Sequence, residues 1–197
     1  MSVQAFDADA VLMQNFAAGD EAAFRQLFHK YKKQLINFSI RFVGSHFVAE
    51  EIVQEVFIKV YRAKNKYLAT AKFSTWIYTI AVNTCLNEMR KLEYKTFHFN
   101  VWSDAEKNPP FLHELYKIEG TAGQEVSLAA NEIKERVNEV LEALPERQRA
   151  AFILKRIEGE SLSDIAEIMK TSQEAVKSLL SRAQEVVHKK LKDLVLN

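Results

Sequence analysis

Hydrophobic side chains recur at helical intervals through most of this 197-residue chain. Between Asp20 and Gly44 they return every three or four positions, which places them on one face of an α-helix. Asp20 is a favourable N-cap for that helix, and Gly44 is a favourable end. Two further runs cover about residues 48–62 and 73–92. The pattern predicts three amphipathic helices in the first half of the chain.

The second half carries the most specific pattern in the sequence. A helix is predicted to begin at Pro145 and to end before Gly159, and a short amphipathic segment and then a further amphipathic segment follow it. Ser161 opens the first segment with the spacing of a capping box, and residues 171–174 open the second. Two capped helices joined by about three residues predict a helix-turn-helix motif. We expect Lys170 to adopt a positive φ in the turn, where glycine is usually favoured.

The second helix of this motif is predicted to present polar side chains outward near its start. In helix-turn-helix proteins such positions meet base edges in the major groove, although an ordinary helical hairpin with a polar face would show the same pattern. Within the motif, Ala166 is expected to pack against Val176 where the helices cross. The outward positions are Gln173, Glu174, Lys177, Ser178, Ser181 and Arg182.

The predicted helix over residues 48–62 has an unusual outer face. Opposite its apolar stripe, an isoleucine stands among charged and amide side chains. One interpretation is a solvated face with a stray apolar residue, and the other is a surface that docks a partner. The face consists of Glu51, Gln54, Glu55, Ile58 and Arg62.

The predicted helix over residues 73–92 is apolar on two sides. One side is a stripe from Tyr78 to Met89, and the other mixes aromatic and amide side chains. Either the helix is buried between two neighbours, or the mixed stripe is a platform for unstacked bases with basic residues nearby for phosphates. The mixed stripe consists of Phe73, Trp76, Ile80, Asn83 and Asn87, and the nearby bases are Lys72, Arg90, Lys91 and Lys95.

Composition supports a globular, helical protein. Hydrophobic residues make up 48% of the chain and charged residues 27%, which excludes a disordered or low-complexity chain. With only 5 glycines and 3 prolines, the chain has too few turn formers for a sandwich or barrel, so we predict an all-α fold. The net charge of +1 averages over unlike parts, because residues 25–95 carry 13 bases against 5 acids. That excess suits a nucleic-acid backbone.

The distribution of aromatic residues divides the chain. Every aromatic residue except Phe152 lies before residue 117, which predicts two differently built cores. Periodicity fades between them, where prolines and glycines cluster as in a linker. We therefore predict a helical domain over residues 1–95, a linker over residues 96–125 and a second helical domain over residues 126–197.

The reactive side chains show no catalytic or metal-binding pattern. The 5 histidines are scattered, with no pair at the i, i+4 spacing of a zinc site, and no glycine-rich phosphate loop occurs. Cys85 lies on the predicted core stripe, where a buried thiol is expected rather than a nucleophile. We predict no enzymatic activity, no catalytic residue, no cofactor or metal and no small-molecule substrate.

Targeting signals are also missing from the sequence. Residues 1–10 lack the basic front of a secretory signal, and no run of about 18 apolar residues occurs. A single cysteine gives no sign of an oxidising compartment. We expect a cytoplasmic protein without membrane insertion.

Three blocks of the sequence together resemble bacterial sigma factors of the extracytoplasmic-function group of the sigma-70 family. They are residues 49–57 (AEEIVQEVF), residues 73–83 (FSTWIYTIAVN), and Leu144-Pro145 with the helix-turn-helix that follows. The blocks stand in the family's order, and the resemblance covers nearly the whole chain. It implies two helical domains, called region 2 and region 4, which direct core RNA polymerase to promoters.

The resemblance also implies roles for the polar faces. The helix with Trp76 and Asn83 would read and open the minus-ten element, and Asn83 would line the pocket of a flipped base. The implied residues for docking core polymerase are Glu51, Gln54, Glu55 and Ile58. Those implied for minus-ten DNA are Lys72, Phe73, Trp76, Asn83, Arg90 and Lys91. Those implied for minus-thirty-five DNA are Gln173, Glu174, Lys177, Ser178 and Arg182.

The implied partners are core RNA polymerase, promoter DNA and an anti-sigma factor that holds the protein inactive. The chain departs from the family pattern at Val48, where an acid is common, and at Lys170, where the turn usually has glycine. Leu179 and Gln184 stand where arginine is frequent, so we expect fewer phosphate contacts and weaker salt dependence. The alternative function is a stand-alone helix-turn-helix transcriptional regulator.

Overall fold

The computed structural model describes residues 7–97 and 136–195, with side chains described for residues 7–91 and 136–192. These residues form helices and connecting turns and contain no β-strand, which confirms the predicted all-α fold. The helices are α1 (Ala8–Ala17), α2 (Glu21–Val43), α3 (His46–Arg62), α4 (Phe73–Phe97), α5 (Glu146–Arg156), α6 (Leu162–Ile168) and α7 (Gln173–Val195). A 3-10 turn covers Lys64–Lys66, and residues 136–142 are also helical.

Helices α1–α4 form a first unit around a core of aromatic rings. Helix α2 begins where the Asp20 carboxylate accepts hydrogen bonds from two backbone amides, and it ends at Gly44 with φ 73°, as predicted. The rings of Phe28 and Phe57, on α2 and α3, lie 4.7 Å apart between centroids and are fully buried. Each such buried ring stabilises the fold by about 1.5–3 kcal/mol.

Helix α1 is not predicted by the sequence analysis, and two acids attach it to the rest of the unit. The Asp7 carboxylate accepts hydrogen bonds from the backbone amides of Asp9 (3.0 Å) and Phe73 (2.6 Å), so it caps both α1 and α4. The Asp9 carboxylate is buried and accepts hydrogen bonds from Lys30 Nζ and Tyr31 Oη. The acidic start of the chain therefore has a structural role.

Two predicted helix ends differ from the observed ones. Helix α3 begins at His46 because the Ser45 hydroxyl accepts a hydrogen bond from the amide of Val48, so the helix starts two residues before the predicted position. Helix α4 continues to Phe97 and so passes the domain boundary that we predicted at residue 95. The rest of the predicted linker lies outside the described residues.

Helices α5–α7 form a second unit that contains the predicted helix-turn-helix. The Ser161 hydroxyl caps α6 through the amide of Asp164 at 3.0 Å, and the Ser172 hydroxyl accepts from the third amide of α7. Lys170 has φ 49° in the turn between them, as expected. Ala166 and Val176 are both buried, as predicted for the helix crossing.

The two units pack against each other, a feature that the sequence analysis does not predict. Helix α4 contacts α6, and α2 contacts α5. The buried guanidinium of Arg149 donates a hydrogen bond to the Phe42 carbonyl at the end of α2. One side of α4 thus belongs to the core of the first unit, and another side meets the second unit.

Candidate nucleic-acid and polymerase interfaces

One face of α4 carries aromatic, amide and basic side chains in a single row. Trp76, Ile80, Asn83, Asn87 and Arg90 are spaced three or four residues apart, and the row is about 21 Å long at the helical rise of about 1.5 Å per residue. Asn83, Asn87 and Arg90 are exposed, and the two apolar residues are half-buried. The row therefore offers amides and a base to a ligand beside a partly accessible indole.

Trp76 is held in place by two aromatic neighbours. Its ring centroid lies 5.0 Å from that of Tyr67 and 5.8 Å from that of Phe73. Burial raises the pKa of Tyr67 to about 12, with a smaller contribution from Asp7 and Asp9. The sequence analysis missed Tyr67, although its aromatic character in a lysine-rich turn before α4 is a usable signal.

The structure corrects one residue, Phe73, of those predicted to contact minus-ten DNA. Its side chain is fully buried, and its ring lies 5.3 Å from that of Tyr31 in an edge-to-face contact. Its backbone amide is bound to Asp7. Because the ring is part of the core of the first unit, it is not available to stack on a base in this structure.

The basic residues near the row are exposed and have acidic or amide partners. Lys72 Nζ lies 3.2 Å from the carboxylate of Asp164 on α6, and this hydrogen bond and charge raise the pKa of Lys72. Lys91 pairs with Glu88 at 3.1 Å, which raises the pKa of Lys91. Arg90 donates to Asn87 at 3.5 Å. These exposed pairs are weak, so nucleic-acid phosphates can replace the acids.

The predicted docking face lies on α3. Glu51 is exposed, whereas Gln54, Glu55 and Ile58 are half-buried. Glu55 also pairs with Lys59 one turn later, at 2.7 Å. The four side chains share one side of the helix, so they form a continuous surface of mixed acidic and apolar character.

Phe47 extends the same side of α3 toward its start and was missed by the sequence analysis. Its side chain is 70% exposed, which is unusual for phenylalanine. It precedes Glu51 by four residues, so it lies one helical turn away on the same side. Leu68, in the turn before α4, is similarly exposed.

The predicted recognition residues all lie on the outer surface of α7. Its inner side is closed by Val176 and Ala183, which are fully buried against the rest of the second unit. The outer side of the first turns of the helix is therefore open to solvent. The exposed residues are Gln173, Glu174, Lys177, Ser178 and Arg182.

The described residues show no metal-binding group, no reactive thiol and no membrane-spanning helix. Among residues 7–91 and 136–192, no group of three acidic, histidine or cysteine side chains is placed to hold a metal. Cys85 is fully buried, and burial raises the pKa of its thiol to about 12, which agrees with its predicted place in the core. No helix within the described ranges is long and apolar enough to cross a membrane.

Comparison with known proteins identifies the family. Models of sigma-70 region 2 and sigma-70 region 4 match residues 27–94 and 134–184. The ECF RNA polymerase sigma-E factor of Escherichia coli K12 is 32% identical over 187 residues, or 95% of this chain and 96% of that protein. This chain is an extracytoplasmic-function sigma factor. The RNA polymerase sigma-H factor of Pseudomonas aeruginosa is also 32% identical, over 95% of each chain.

This sigma factor is thus a transcription initiation factor and not an enzyme. Solved structures share its fold across both units. CnrH in complex with the cytosolic domain of CnrY has a TM-score of 0.68 and 21% identity, over 95% of this chain and 99% of that chain. RpoE in complex with the anti-sigma factor NepR from Bartonella quintana has a TM-score of 0.63 and 25% identity, over 86% and 96%.

Proposed function

We propose that this sigma factor binds core RNA polymerase in the cytoplasm through α3, opens the minus-ten element with α4 and reads the minus-thirty-five element with α7. The observation that carries the proposal is the row on α4, where an accessible amide follows a partly exposed indole on one helix face. We propose a first domain that includes all of α4, and so ends just after the predicted residue 95, a second domain over residues 126–197, and a linker between them.

Strand opening requires a surface that binds unpaired bases better than paired ones. An aromatic ring stacks on a base only when that base has left its duplex, and such stacking contributes about 1–3 kcal/mol per base. Trp76 supplies the ring, and the Asn83 amide can pair with the edge of a flipped base. Lys72, Arg90 and Lys91 would hold the phosphates on either side. Phe73 acts here only by packing beneath the indole.

The docking proposal rests on the mixed character of the α3 surface. Protein interfaces combine an apolar centre with charged residues at the rim. Ile58 and the stem of Gln54 would form the centre, while Glu51 and Glu55 would meet basic side chains of the polymerase. We propose the coiled coil of the largest polymerase subunit as the partner of this surface.

The second unit would read duplex DNA. A helix-turn-helix places the first turns of its second helix in the major groove, and the five exposed polar side chains of α7 stand at those turns. Two of them are basic, Lys177 and Arg182, so sequence-independent phosphate binding by these turns is expected to be modest. This agrees with a protein that finds promoters when it is attached to polymerase.

We also propose that an anti-sigma factor inhibits this protein. The support is the similarity of the arrangement of both units to RpoE bound to NepR, at 25% identity. Such a partner would compete for the surfaces that polymerase and DNA need.

The experiment that tests the assignment separates docking from strand opening. Glu55→Lys should weaken binding to core polymerase about tenfold or more, because it places a like charge against a basic partner. Asn83→Ala should leave that affinity unchanged and reduce promoter opening, measured by permanganate reactivity of unpaired thymines. Asn37→Ala, an exposed amide on α2, is the control for both measurements.

Equal loss of both activities in Asn83→Ala would contradict the role of α4. Unchanged polymerase affinity in Glu55→Lys would contradict the role of α3. A stand-alone regulator would bind specific duplex DNA without polymerase and would leave core polymerase inactive at promoters.

A further inference from the structure

The segment between α3 and α4 carries an aromatic ring that holds Trp76 in place. This joining segment, residues 63–72, contains one 3-10 turn, and Tyr67 follows the turn with its ring centroid 5.0 Å from that of Trp76. Six of the ten residues in the segment are exposed. Because so little of the segment is packed, the position of Tyr67 depends on what holds its two ends.

Helix α1 holds the far end of the joining segment through both oxygens of one carboxylate. Oδ1 of Asp7 accepts a hydrogen bond from the Asp9 amide at 3.0 Å, and Oδ2 accepts one from the Phe73 amide at 2.6 Å. These amides lie in the first turns of α1 and α4. An amide side chain of the same size has one oxygen acceptor in place of two, so a carboxylate is needed to make both bonds. Asp7 therefore fixes the start of α4 to the start of α1.

The near end of the joining segment is held by the same helix. Lys64 Nζ lies 4.8 Å from the ring centroid of Phe16 on α1 and 5.2 Å from that of Tyr61 on α3. An ammonium group over an aromatic face is attracted by the negative charge of the π-system. The two rings are themselves in contact, with centroids 5.2 Å apart. Helix α1 thus contacts the joining segment on either side of Tyr67.

Helix α1 is itself firmly attached to the first unit. Its Met13 and Phe16 side chains are fully buried. The buried Asp9 carboxylate accepts hydrogen bonds from Lys30 Nζ and Tyr31 Oη, both at 2.6 Å to Oδ2. Hydrogen bonds to a buried charge are strong, so α1 cannot shift without the loss of favourable contacts. The position of α1 is therefore transmitted to the joining segment.

We propose that α1 positions the Tyr67 and Trp76 rings for promoter opening, and that Asp7 is the positioning residue through which α1 acts on α4. A surface that is already ordered binds more tightly than one that must be ordered on binding. The consequence for opening rests on the proposed role of α4, whereas the order of the indole can be measured on the free chain. Asp7 would act without contacting DNA, because both its oxygens are bound to backbone amides.

The charge of Asp7 gives the proposal a distinctive sign. An acid near a surface that binds phosphates repels them, so loss of the acid should by charge alone strengthen DNA binding and favour opening. If Asp7 instead positions the rings, its neutralisation should impair opening. The two effects predict opposite changes, so the direction of the change identifies the role.

The test compares Asp7→Asn with Asp20→Asn in the full-length chain. Both changes keep the size of the side chain and remove one negative charge. Asp20 uses Oδ1 alone to accept from the amides of Ala22 and Ala23, at 2.9 and 3.3 Å, so asparagine keeps this cap. At Asp7 the introduced NH2 group would face one of the two backbone amides, so one of the two bonds is lost. The pair therefore separates the joint between α1 and α4 from the loss of an acid.

The first readout is acrylamide quenching of Trp76 fluorescence without DNA or polymerase. The chain has 2 tryptophans, and a Trp102→Phe background makes Trp76 the only one. Asp7→Asn should raise the quenching constant about twofold, because local opening of the joining segment exposes the indole. Asp20→Asn should leave the constant unchanged. Circular dichroism establishes that each variant is folded.

The second readout is promoter opening by each variant bound to core polymerase, measured by permanganate reactivity of unpaired thymines. Asp7→Asn should reduce opening about fivefold, the factor expected for one lost helix cap, and should leave polymerase affinity unchanged. Asp20→Asn should match the unmodified chain in both measurements.

Equal quenching constants for Asp7→Asn and Asp20→Asn would overturn the positioning role. A higher constant with undiminished opening would overturn its consequence for promoters, and so would equal loss of opening and polymerase affinity. Normal opening by Asn83→Ala would instead count against the proposed role of α4, and the quenching result would still stand. If Asp7→Asn does not fold, Lys64→Met against Lys66→Met decides by the same quenching measurement, in which only Lys64→Met should raise the constant.

Discussion

Lys170 holds the turn of the helix-turn-helix in a conformation that disfavours a side chain. Its φ of 49° places the Cβ atom near the following carbonyl, which destabilises a non-glycine residue by about 1–2 kcal/mol. The sequence analysis expected this conformation because the turn between the two helices of the motif usually has glycine at this position. The strain is local and belongs to the second unit.

Replacing Lys170 with glycine is expected to stabilise the protein. Lys170→Gly should raise the free energy of unfolding of the second unit by about 1 kcal/mol, because the left-handed conformation no longer carries steric strain. Urea unfolding followed by circular dichroism measures the change. Lys177→Gly, an exposed lysine inside α7, is the matched control and should destabilise by about 1 kcal/mol. A loss of stability in Lys170→Gly would contradict the positive φ.

Tyr31 and Tyr78 have phenol groups that resist ionisation. Burial raises the pKa of each well above its usual value, and the hydrogen bonds to Asp9 and to Glu158 raise it further. In the unfolded chain these phenols ionise near pH ~10. Above that pH the unfolded state binds fewer protons than the folded state, so folding stability should decrease as the pH rises.

The alkaline titration makes this a measurable prediction. Absorbance near 295 nm should show that these tyrosines of the folded protein stay neutral at a pH where the urea-unfolded chain has ionised them. Tyr78→Phe should reduce the loss of folding stability between about pH 9 and 11, which is the range around the usual phenol pKa of about 10. An unchanged pH dependence in Tyr78→Phe would show that this phenol ionises normally in the folded state.

At the scale of single elements, the predictable helices are those with a strong apolar stripe and clear end signals. Helix α2 was predicted from Asp20 to Gly44 for that reason. Helix α1 was missed because its apolar residues do not form a single stripe, and nothing local shows what the nearby acids bind. Their partners are distant in sequence: Asp7 caps the amide of Phe73, and Asp9 binds Lys30 and Tyr31. No local pattern reveals such pairs.

The Asp7 carboxylate caps both α1 and α4, so this one side chain should stabilise two helices. Asp7→Ala should lower the free energy of unfolding of the first unit by about 2 kcal/mol, since each lost cap is worth about 1 kcal/mol. Asp20→Ala removes a cap from α2 alone and should lose about half as much. Chemical unfolding of both variants under the same conditions gives the ratio. Equal losses would contradict a double cap.

The row of side chains on α4 was predicted only in part. Helical spacing places Trp76, Asn83 and Arg90 on one face, and the structure places them there as well. The spacing does not reveal that Phe73, at the start of the same stripe, turns into the core against Tyr31 and Tyr67. Burial at a helix start depends on neighbouring elements, so periodicity alone could not separate Phe73 from Trp76.

At the scale of the whole molecule, the net charge of +1 conceals parts with different roles. The base-rich segment over residues 25–95 includes the proposed DNA surface, and one of its bases, Lys72, is neutralised by the second unit. The contact between the units was not predictable because Arg149 and Phe42 are 107 positions apart. Family motifs in the sequence predicted the two units, but the contact between the units is seen only in the folded structure.

The central claim is that this chain makes core RNA polymerase specific for promoters. The most direct measurement is run-off transcription with purified bacterial core polymerase, with and without the full-length chain, on a pool of random promoter templates. We predict discrete transcripts only when the chain is present, with two shared upstream sequence elements in the selected templates and strongly reduced yield for Asn83→Ala. Transcripts that are the same with and without the chain would contradict the account.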